Sequence, residues 1–107
     1  MLRVLFICSR NRLRSPTAER IFADYPGIET ASAGLAPDAE ERLTSDSLEG
    51  VDLIFVMERS HRTKLTRDFG RHLRGARIVC LDIPDKYRYM QPELVELLRA
   101  RVTPHLR

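Results

Sequence analysis

The sequence predicts an α/β fold, a single three-layer domain in which helices cover both faces of a four-stranded parallel sheet. The first observation is that four short apolar runs are spaced along the chain. The second is that segments with helical spacing of apolar residues, or with helix-capping residues, lie between and after these runs. Parallel neighbours need long crossovers, so strands that alternate with helices form such a sheet. A length of 107 residues suits one domain, residues 1–107, with one core.

The first half of the chain contains two predicted strands and one helix. RVLFI (3–7) is a continuous apolar run, typical of a strand buried on both faces of a sheet. In residues 16–25 the apolar side chains recur with helical spacing, and a Pro-Gly pair ends the pattern. IETASAG (28–34) indicates a second, weaker strand, and residues 37–50 indicate a short helix or a loop with little to bury.

The second half begins with two further strands that enclose a helix. VDLIFVM (51–57) and ARIVCL (76–81) are the apolar runs that predict these strands. Between them, residues 60–70 are predicted to form a helix that has Ser60 as its N-cap and ends at Gly70. The sheet is therefore expected to have four strands.

A polar loop and a final helix follow the fourth strand. Residues 82–91 are rich in charged and aromatic side chains and are predicted to form the loop. Residues 92–102 begin with a proline at the first helical position and carry an apolar stripe. Ligands of such sheets bind at the carboxyl ends of the strands, so we expect the site where the loops follow the first and fourth strands.

Composition restricts the class of partner and the compartment. The formal net charge is +3 with a pI near 9.2, which favours anionic partners. Cys8 and Cys80 are the only cysteines, a poor framework for disulfides, and no apolar run is long enough for a signal peptide or a membrane span. We therefore expect a cytoplasmic protein with reduced cysteines and no membrane partner, in which Cys80 belongs to the core.

The loop at residues 8–15 carries the strongest chemical signal. Cys8 ends the first apolar run, and Ser15 and Pro16 suit the N-cap and first position of the helix that follows. Amides at a helix N-terminus bind anions, and their field favours a nucleophilic thiolate at Cys8. The guanidinium of Arg14 can hold two oxygens of a tetrahedral oxyanion, and Asn11 tolerates the left-handed backbone that a tight cradle needs.

A structural cysteine is the competing interpretation of Cys8. Cysteines at strand ends often serve as small buried apolar residues, and a Cys and an Arg six positions apart also occur by chance. The preceding strand, the Ser-Pro pair and the amphipathic helix together favour the catalytic interpretation.

The motif in residues 8–15 resembles the C-x5-R-S phosphate loop of low-molecular-weight protein tyrosine phosphatases, a family that also has asparagine at the position of Asn11. SAG (32–34) continues the resemblance. DLIFVMERSH (52–61) is similar to the family's third strand and following helix, and IPDKY (83–87) resembles the loop that carries its general acid.

The resemblance implies a phosphatase that works through a phosphocysteine intermediate. Cys8 is expected to attack phosphorus while Arg14 and the loop amides hold the oxygens. Departure of an alkoxide or phenoxide needs a proton, and Asp82 and Asp85 are the candidate donors. Asp85 matches the family's spacing to the last helix. The phosphate-binding residues are expected to be Ser9, Arg10, Asn11, Arg12, Leu13, Arg14 and Ser15, and the residues of the substrate pocket Tyr87 and Arg88.

The chain also departs from the family. Arg10 stands where members usually have glycine, Leu13 where many have a second cysteine, and Lys86 follows Asp85 where the family has proline. The chain is shorter than typical members, with less sequence between residues 35 and 50 and before residue 82. These departures affect the expected substrate preference more than the expected fold.

Other functions remain as alternatives. A catalytically weak module that binds phosphate or phosphopeptides would keep the loop but misplace the acid. Arsenate reduction needs resolving cysteines, and only Cys80 is available. Nucleic acid is not an expected partner, because the basic residues are scattered among acidic ones and no aromatic platform accompanies them.

The expected substrates are phosphorylated proteins or small aryl phosphates, with no cofactor and no metal. His61, His72 and His105 lack the spacing of metal ligands and are expected to have surface or structural roles. Arg10, Arg12 and Arg88 are expected at the rim of the pocket or as solvated surface charges.

Overall fold

In the computed structural model, which describes residues 1–106, four parallel strands form one sheet in the order β2-β1-β3-β4. This confirms the predicted fold class. β1 is central because its seven residues carry the longest uninterrupted run of buried side chains and pair with strands on both sides. The strands are β1 (Leu2–Cys8), β2 (Ile28–Gly34), β3 (Leu53–Val56) and β4 (Arg77–Cys80).

Three α-helices cover the two faces of the sheet. They are α1 (Arg14–Phe22), α2 (Arg59–Phe69) and α3 (Pro92–Val102). α1 and α3 pack on one face and α2 on the other, since the buried side chains form two clusters, one for each face. Within the described residues, no helix is long and apolar enough to cross a membrane.

The two clusters explain why the strands are continuous apolar runs. Alternate side chains of β1 point to opposite faces, and both faces are buried. Phe6 lies in the cluster of α1 and α3, where its ring stacks on Phe22 and Phe55 with centroids 6.0 and 5.4 Å apart. Ile7 lies in the other cluster, with Leu65 of α2. Packing on both faces of β1 therefore fixes the position of Cys8 at the carboxyl end of the strand.

Two predicted helix starts are wrong by one to two residues. α1 begins at Arg14, so Ser15 lies within its first turn and is not its N-cap. α2 begins at Arg59, and its N-cap is Glu58, whose amide donates a hydrogen bond to His61 Nδ1 over 3.1 Å. Ser60 is therefore not the cap. The Ser15 hydroxyl instead contacts Cys8 Sγ and Asn11, and the first turn of α2 is closed by the Glu58–His61 hydrogen bond.

The crossover from β2 to β3 holds no α-helix. It runs as a loop with a 3₁₀ turn at Ser45–Leu48, and Arg42 forms an isolated bridge with Gly34. The segment was predicted as a short helix or a loop, and its few apolar residues explain the outcome: Leu43 and Leu48 are buried, which is too little to hold a helix against the sheet.

Candidate active site

A cavity of about 580 Å³ lies at the carboxyl end of β1, where the sequence predicts the site. The loop of residues 8–15, called the phosphate loop from here on, forms its floor and most of its wall. The segment after β2 and the loop after β4 complete it. The cavity is lined by Cys8, Ser9, Arg10, Arg12, Leu13, Arg14, Ala36 and Asp85.

The sulfur of Cys8 has two hydrogen-bond partners inside the loop. The Asn11 amide donates to Sγ over 3.2 Å, from a left-handed backbone with φ of 56°. The Ser15 hydroxyl lies 2.9 Å from the same sulfur, and its oxygen accepts a 2.8 Å hydrogen bond from Asn11 Nδ2. The Ser15 hydroxyl keeps its own proton available for Sγ while its oxygen accepts from Asn11. The Asn11 amide and the Ser15 hydroxyl are both groups that can donate hydrogen bonds to a sulfur that carries negative charge.

The backbone of the phosphate loop is held from outside. The carbonyl oxygens of residues 8–10 accept hydrogen bonds from the amides of Leu35, Ala36 and Glu40 over 3.0, 2.8 and 3.0 Å. With its carbonyls turned toward residues 35–40, the loop has its amides available for the cavity, which is the arrangement of an anion nest. Gly34 allows this close approach, since a Cβ there would lie 2.6 Å from the carbonyl oxygen of Ser9.

Arg14 is buried and its guanidinium is fixed by three partners. Nη1 donates to Glu58 Oε2 and to the carbonyl oxygen of Ile83, both over 2.7 Å. Nε lies 3.7 Å from Asp85 Oδ1. The partners come from the turn before α2 and from the loop after β4, so the orientation of the arginine depends on both. A guanidinium fixed in this way presents its charge to the cavity at little entropic cost.

His61 lies behind the loop and is buried. Its Nδ1 accepts the hydrogen bond from the Glu58 amide, so Nε2 carries the proton and donates to Ser9 Oγ over 3.0 Å. Burial, and to a lesser extent the Arg14 guanidinium, lowers the pKa of His61 below its ordinary value of 6.5. Of the surface or structural roles expected for His61, its burial agrees with a structural one, whereas its contact with the phosphate loop was not predicted.

Glu58 is the residue that the sequence reasoning missed. It follows β3 by two residues and therefore lies at the same edge of the sheet as Cys8. A carboxylate directly after a buried strand, in a chain whose loop of residues 8–15 holds three arginines, was the signal that could have identified it.

The two candidate acids lie in different places. Asp85 lines the cavity and has an exposed side chain. Asp82 lies outside that lining, 3.8 Å from Arg59 Nε, and its Oδ1 is 3.5 Å from Cys80 Sγ. Of the two carboxylates, only Asp85 is brought together with Cys8 and Arg14.

Tyr87 and Arg88 do not line the cavity, contrary to expectation. The backbone turns after Asp85, with a 3.0 Å hydrogen bond from the Lys86 amide to the carbonyl oxygen of Pro84. Tyr87 then packs against the cluster of α1 and α3, and Arg88 lines a separate depression beside residues 89–92. The apolar ring is more stable in the core than at an open rim.

Arg10 and Arg12 are exposed at the rim of the cavity. Each lies near a carboxylate of the segment after β2: Arg10 Nε is 3.9 Å from Asp38, and Arg12 Nε is 3.4 Å from Glu40. Exposed pairs of this kind contribute about 0–1 kcal/mol to stability. Leu13 is also partly exposed at the mouth.

Among the described residues, no cluster of three or more His, Cys, Asp or Glu side chains could hold a metal ion. Both cysteines are free thiols. Cys80 is only partly buried, so the prediction that it belongs to the core is correct in part. Partial burial raises the pKa of its thiol.

Comparison with known proteins agrees with this geometry. The family model for low molecular weight phosphotyrosine protein phosphatase matches residues 3–49, which include the whole phosphate loop. Compared by sequence with curated proteins, the chain has no significant match.

Solved structures resemble the chain over nearly all of its length. Wzb of Vibrio vulnificus, solved in complex with benzylphosphonate, is 27% identical with a TM-score of 0.78, and the match covers 97% of this chain and 96% of Wzb. SP-PTP, a low molecular weight protein tyrosine phosphatase from Streptococcus pyogenes, is 18% identical with a TM-score of 0.79, covering 99% and 91%. The YwlE arginine phosphatase of Geobacillus stearothermophilus is 18% identical with a TM-score of 0.74, covering 99% and 93%.

Proposed function

We propose that this chain, which belongs to the low-molecular-weight phosphotyrosine phosphatase family, hydrolyses phosphomonoesters through a phosphocysteine at Cys8. The observation that carries the proposal is the pair of hydrogen bonds to Cys8 Sγ at the floor of a cavity that also contains Arg14 and Asp85. A nucleophile, an oxyanion holder and an acid therefore face one space.

In the first step the Cys8 thiolate attacks phosphorus in line with the leaving oxygen. The sulfur–phosphorus bond forms as the bond from phosphorus to the ester oxygen breaks. Arg14 and the loop amides hold the three remaining phosphoryl oxygens, on which negative charge is spread. Asp85 gives its proton to the leaving oxygen, so that an alcohol or phenol departs instead of an alkoxide.

In the second step water releases the phosphate. Asp85, now a carboxylate, takes a proton from the water as its oxygen attacks phosphorus. The sulfur–phosphorus bond breaks, and Cys8 leaves as a thiolate that the Asn11 amide and the Ser15 hydroxyl stabilise. Inorganic phosphate is the second product, and the Asp85 proton is restored for the next cycle.

Phosphotyrosine in proteins, or a small aryl phosphate, is the proposed substrate. Cys8 is buried, whereas Arg10 and Arg12 of the same cavity lining are exposed, which favours a long, flat aryl ester over a short alkyl one. Tyr87 and Arg88 are kept as proposed contacts for parts of the substrate that lie outside the cavity. A cytoplasmic location belongs to the same proposal, since both cysteines are free.

A binding module without turnover is the second candidate function. It is favoured by one observation, the exposure of Asp85, whose side chain is 62% exposed and touches Arg14 only at 3.7 Å. An acid held this loosely can fail to reach the leaving oxygen. Arsenate reduction receives no such support, because Cys80 lies outside the lining of the Cys8 cavity.

Hydrolysis of p-nitrophenyl phosphate without added metal tests the proposal. The wild type is expected to turn over, whereas Cys8→Ser loses activity to the background rate while still binding inorganic phosphate in calorimetry. The matched control is Cys80→Ser, which lies outside the cavity and is expected to keep wild-type kinetics. Full activity in Cys8→Ser would contradict the phosphocysteine, and phosphate binding by a wild type without turnover would favour the binding module.

A further inference from the structure

The N-terminal turn of α2 contacts the phosphate loop at two points. Glu58 accepts a hydrogen bond from Arg14 near the end of the loop, and His61 donates one to Ser9 near its beginning. Glu58 and His61 are joined to each other by the 3.1 Å hydrogen bond from the Glu58 amide to Nδ1. One short turn of helix therefore spans the whole loop from behind.

We infer that His61 is a positioning residue for the phosphate loop, and that it holds the loop in its anion-binding shape only as the neutral imidazole with the proton on Nε2. The inference rests on the proposed function, since the loop it positions is the one that would carry the phosphoryl group. His61 touches neither Cys8 nor the cavity, so it acts through Ser9.

The tautomer follows from the contacts. Nδ1 faces an amide hydrogen and must act as an acceptor, which leaves Nε2 as the only donor for the Ser9 hydroxyl. A second proton on the ring would have to sit on Nδ1, directly opposite the Glu58 N–H. Two donors cannot share that contact, so protonation turns the ring away from Glu58 and disturbs its contact with Ser9.

The charges around the ring come from three elements. Arg14 of α1 and Lys64 of α2 disfavour a second proton on His61, whereas Glu58 and Asp85 favour it. The Glu58 carboxylate lies 3.8 Å from Nε2 and 2.7 Å from Arg14 Nη1. A protonated His61 would therefore compete with Arg14 for the same carboxylate. Protonation would then weaken the contact of Glu58 with Arg14 as well as the contact of His61 with Ser9.

Ser9 itself lies in the part of the loop that needs this support. Its carbonyl oxygen is held by the Ala36 amide over 2.8 Å, and its side chain is held by His61 over 3.0 Å. Peptide groups at this point of the loop set the direction of the amides that follow. Loss of the side-chain anchor is expected to reduce phosphate affinity about three- to tenfold, the effect of one buried hydrogen bond.

The test compares His61→Gln with the wild type from pH 5 to pH 8. Glutamine keeps an amide donor near the position of Nε2 but does not titrate. At each pH, kcat/KM of the wild type for p-nitrophenyl phosphate is divided by kcat/KM of His61→Gln. The effects of ionisation of the substrate and of other groups are common to both proteins and cancel in this ratio. The ratio is expected to be constant above pH 7 and to fall below pH 6.5. The matched control is His72→Gln, which replaces a histidine outside the site. The ratio of kcat/KM of the wild type to that of His72→Gln should not change with pH.

A double-mutant cycle separates positioning from general stability. Ser9→Ala, His61→Ala and the double variant are expected to be non-additive in kcat/KM, because each removes the same hydrogen bond. Urea unfolding of each variant shows whether it is folded in the assay, and Ser9→Ala keeps the test valid if His61→Ala does not fold. Fully additive effects would overturn the positioning role, and a ratio that stays flat down to the lowest pH at which the protein remains folded would overturn the requirement for a neutral ring.

Calorimetry with inorganic phosphate distinguishes the two proposals. If the wild type binds phosphate without turnover, the proposed hydrolysis fails, whereas a pH-dependent affinity ratio for His61→Gln would still support the positioning role. If turnover is normal and both ratios are flat, the hydrolysis stands and the role of His61 fails.

Discussion

The phosphate loop and the loop of residues 82–91, called the acid loop from here on, follow strands of the same sheet edge but are built differently. In the phosphate loop, the functional side chains Cys8, Asn11, Arg14 and Ser15 are all buried and hydrogen-bonded. In the acid loop only Ile83 is buried, whereas Asp85 stands largely in solvent.

The acid loop is anchored mainly at its ends. The Ile83 amide donates to the carbonyl oxygen of Met57 over 2.8 Å, and the Met90 amide donates to Thr17 Oγ1 over 3.0 Å. The hydrogen bonds between these points are local turns. The difference teaches that the proposed anion cradle is held by hydrogen bonds along its length, whereas the proposed acid lies on a segment held mainly at its ends.

The largest expected effect is that of Arg14→Lys. Lysine keeps the charge but cannot donate to Glu58 and Ile83 while also presenting a fork to the oxyanion. We expect kcat/KM to fall about 10³-fold and phosphate affinity to fall with it, because ground state and transition state share the contact. Steady-state kinetics and calorimetry measure both. The control is Arg20→Lys on α1, outside the cavity lining, and equal losses in the two variants would contradict a special role for Arg14.

Asp85→Asn is expected to distinguish the role of the acid loop in turnover from the role of the phosphate loop in binding. It removes the proton donor without changing the size of the side chain, so kcat should fall about 10²-fold while phosphate affinity stays within about twofold. Asp82→Asn, a carboxylate of the same loop outside the cavity lining, should leave kcat unchanged. If a substrate with a better leaving group restores kcat of Asp85→Asn, the assignment of Asp85 as proton donor is strengthened. If kcat falls only in Asp82→Asn, Asp82 is the proton donor instead.

Gly34→Ala tests how tightly the phosphate loop is packed. The added Cβ would lie 2.6 Å from the Ser9 carbonyl oxygen and from Ala39 Cβ, so the loop or the following segment must shift. We expect the free energy of unfolding to fall by about 2 kcal/mol, measured with urea. Gly70→Ala meets nothing within 4 Å and should stay within about 0.5 kcal/mol. If Gly34→Ala leaves the free energy of unfolding unchanged, the phosphate loop is not tightly packed against Gly34, and the contrast with the acid loop fails.

The smallest expected effect is the pH dependence of stability caused by His61. Its pKa is lowered in the folded chain, chiefly by burial, so the unfolded chain binds the proton more readily. The His61 contribution is therefore complete above pH 6.5 and is lost as pH falls below that value, by at most about 1.4 kcal/mol per pH unit. Urea unfolding of wild type and His61→Gln at pH 7.5 and pH 5.5 measures it. A difference between the two proteins that does not change with pH would contradict the shift.

Much of the site could be predicted because it is local in sequence. Cys8, Asn11, Arg14 and Ser15 occupy eight consecutive residues between a buried strand and a helix, so their spacing already limits their geometry. Asp85 was preferred because of the family resemblance, including the family's spacing from this residue to the last helix, and it lines the cavity. Tyr87 packs partly against the cluster of α1 and α3 and is not in the cavity lining, because the side that a loop residue faces depends on the core beneath it, which sequence spacing does not describe.

The sequence by itself determined the parallel sheet, its three α-helices and the position of the phosphate loop, because apolar runs and helical stripes act over a few residues. Only the tertiary structure decided the support of that loop. Glu58, His61 and Gly34 lie outside the loop, at least 19 residues after its last residue, and reach it because parallel strands bring their carboxyl ends to one edge. Contacts between such distant residues depend on strand order and register, which local patterns do not specify.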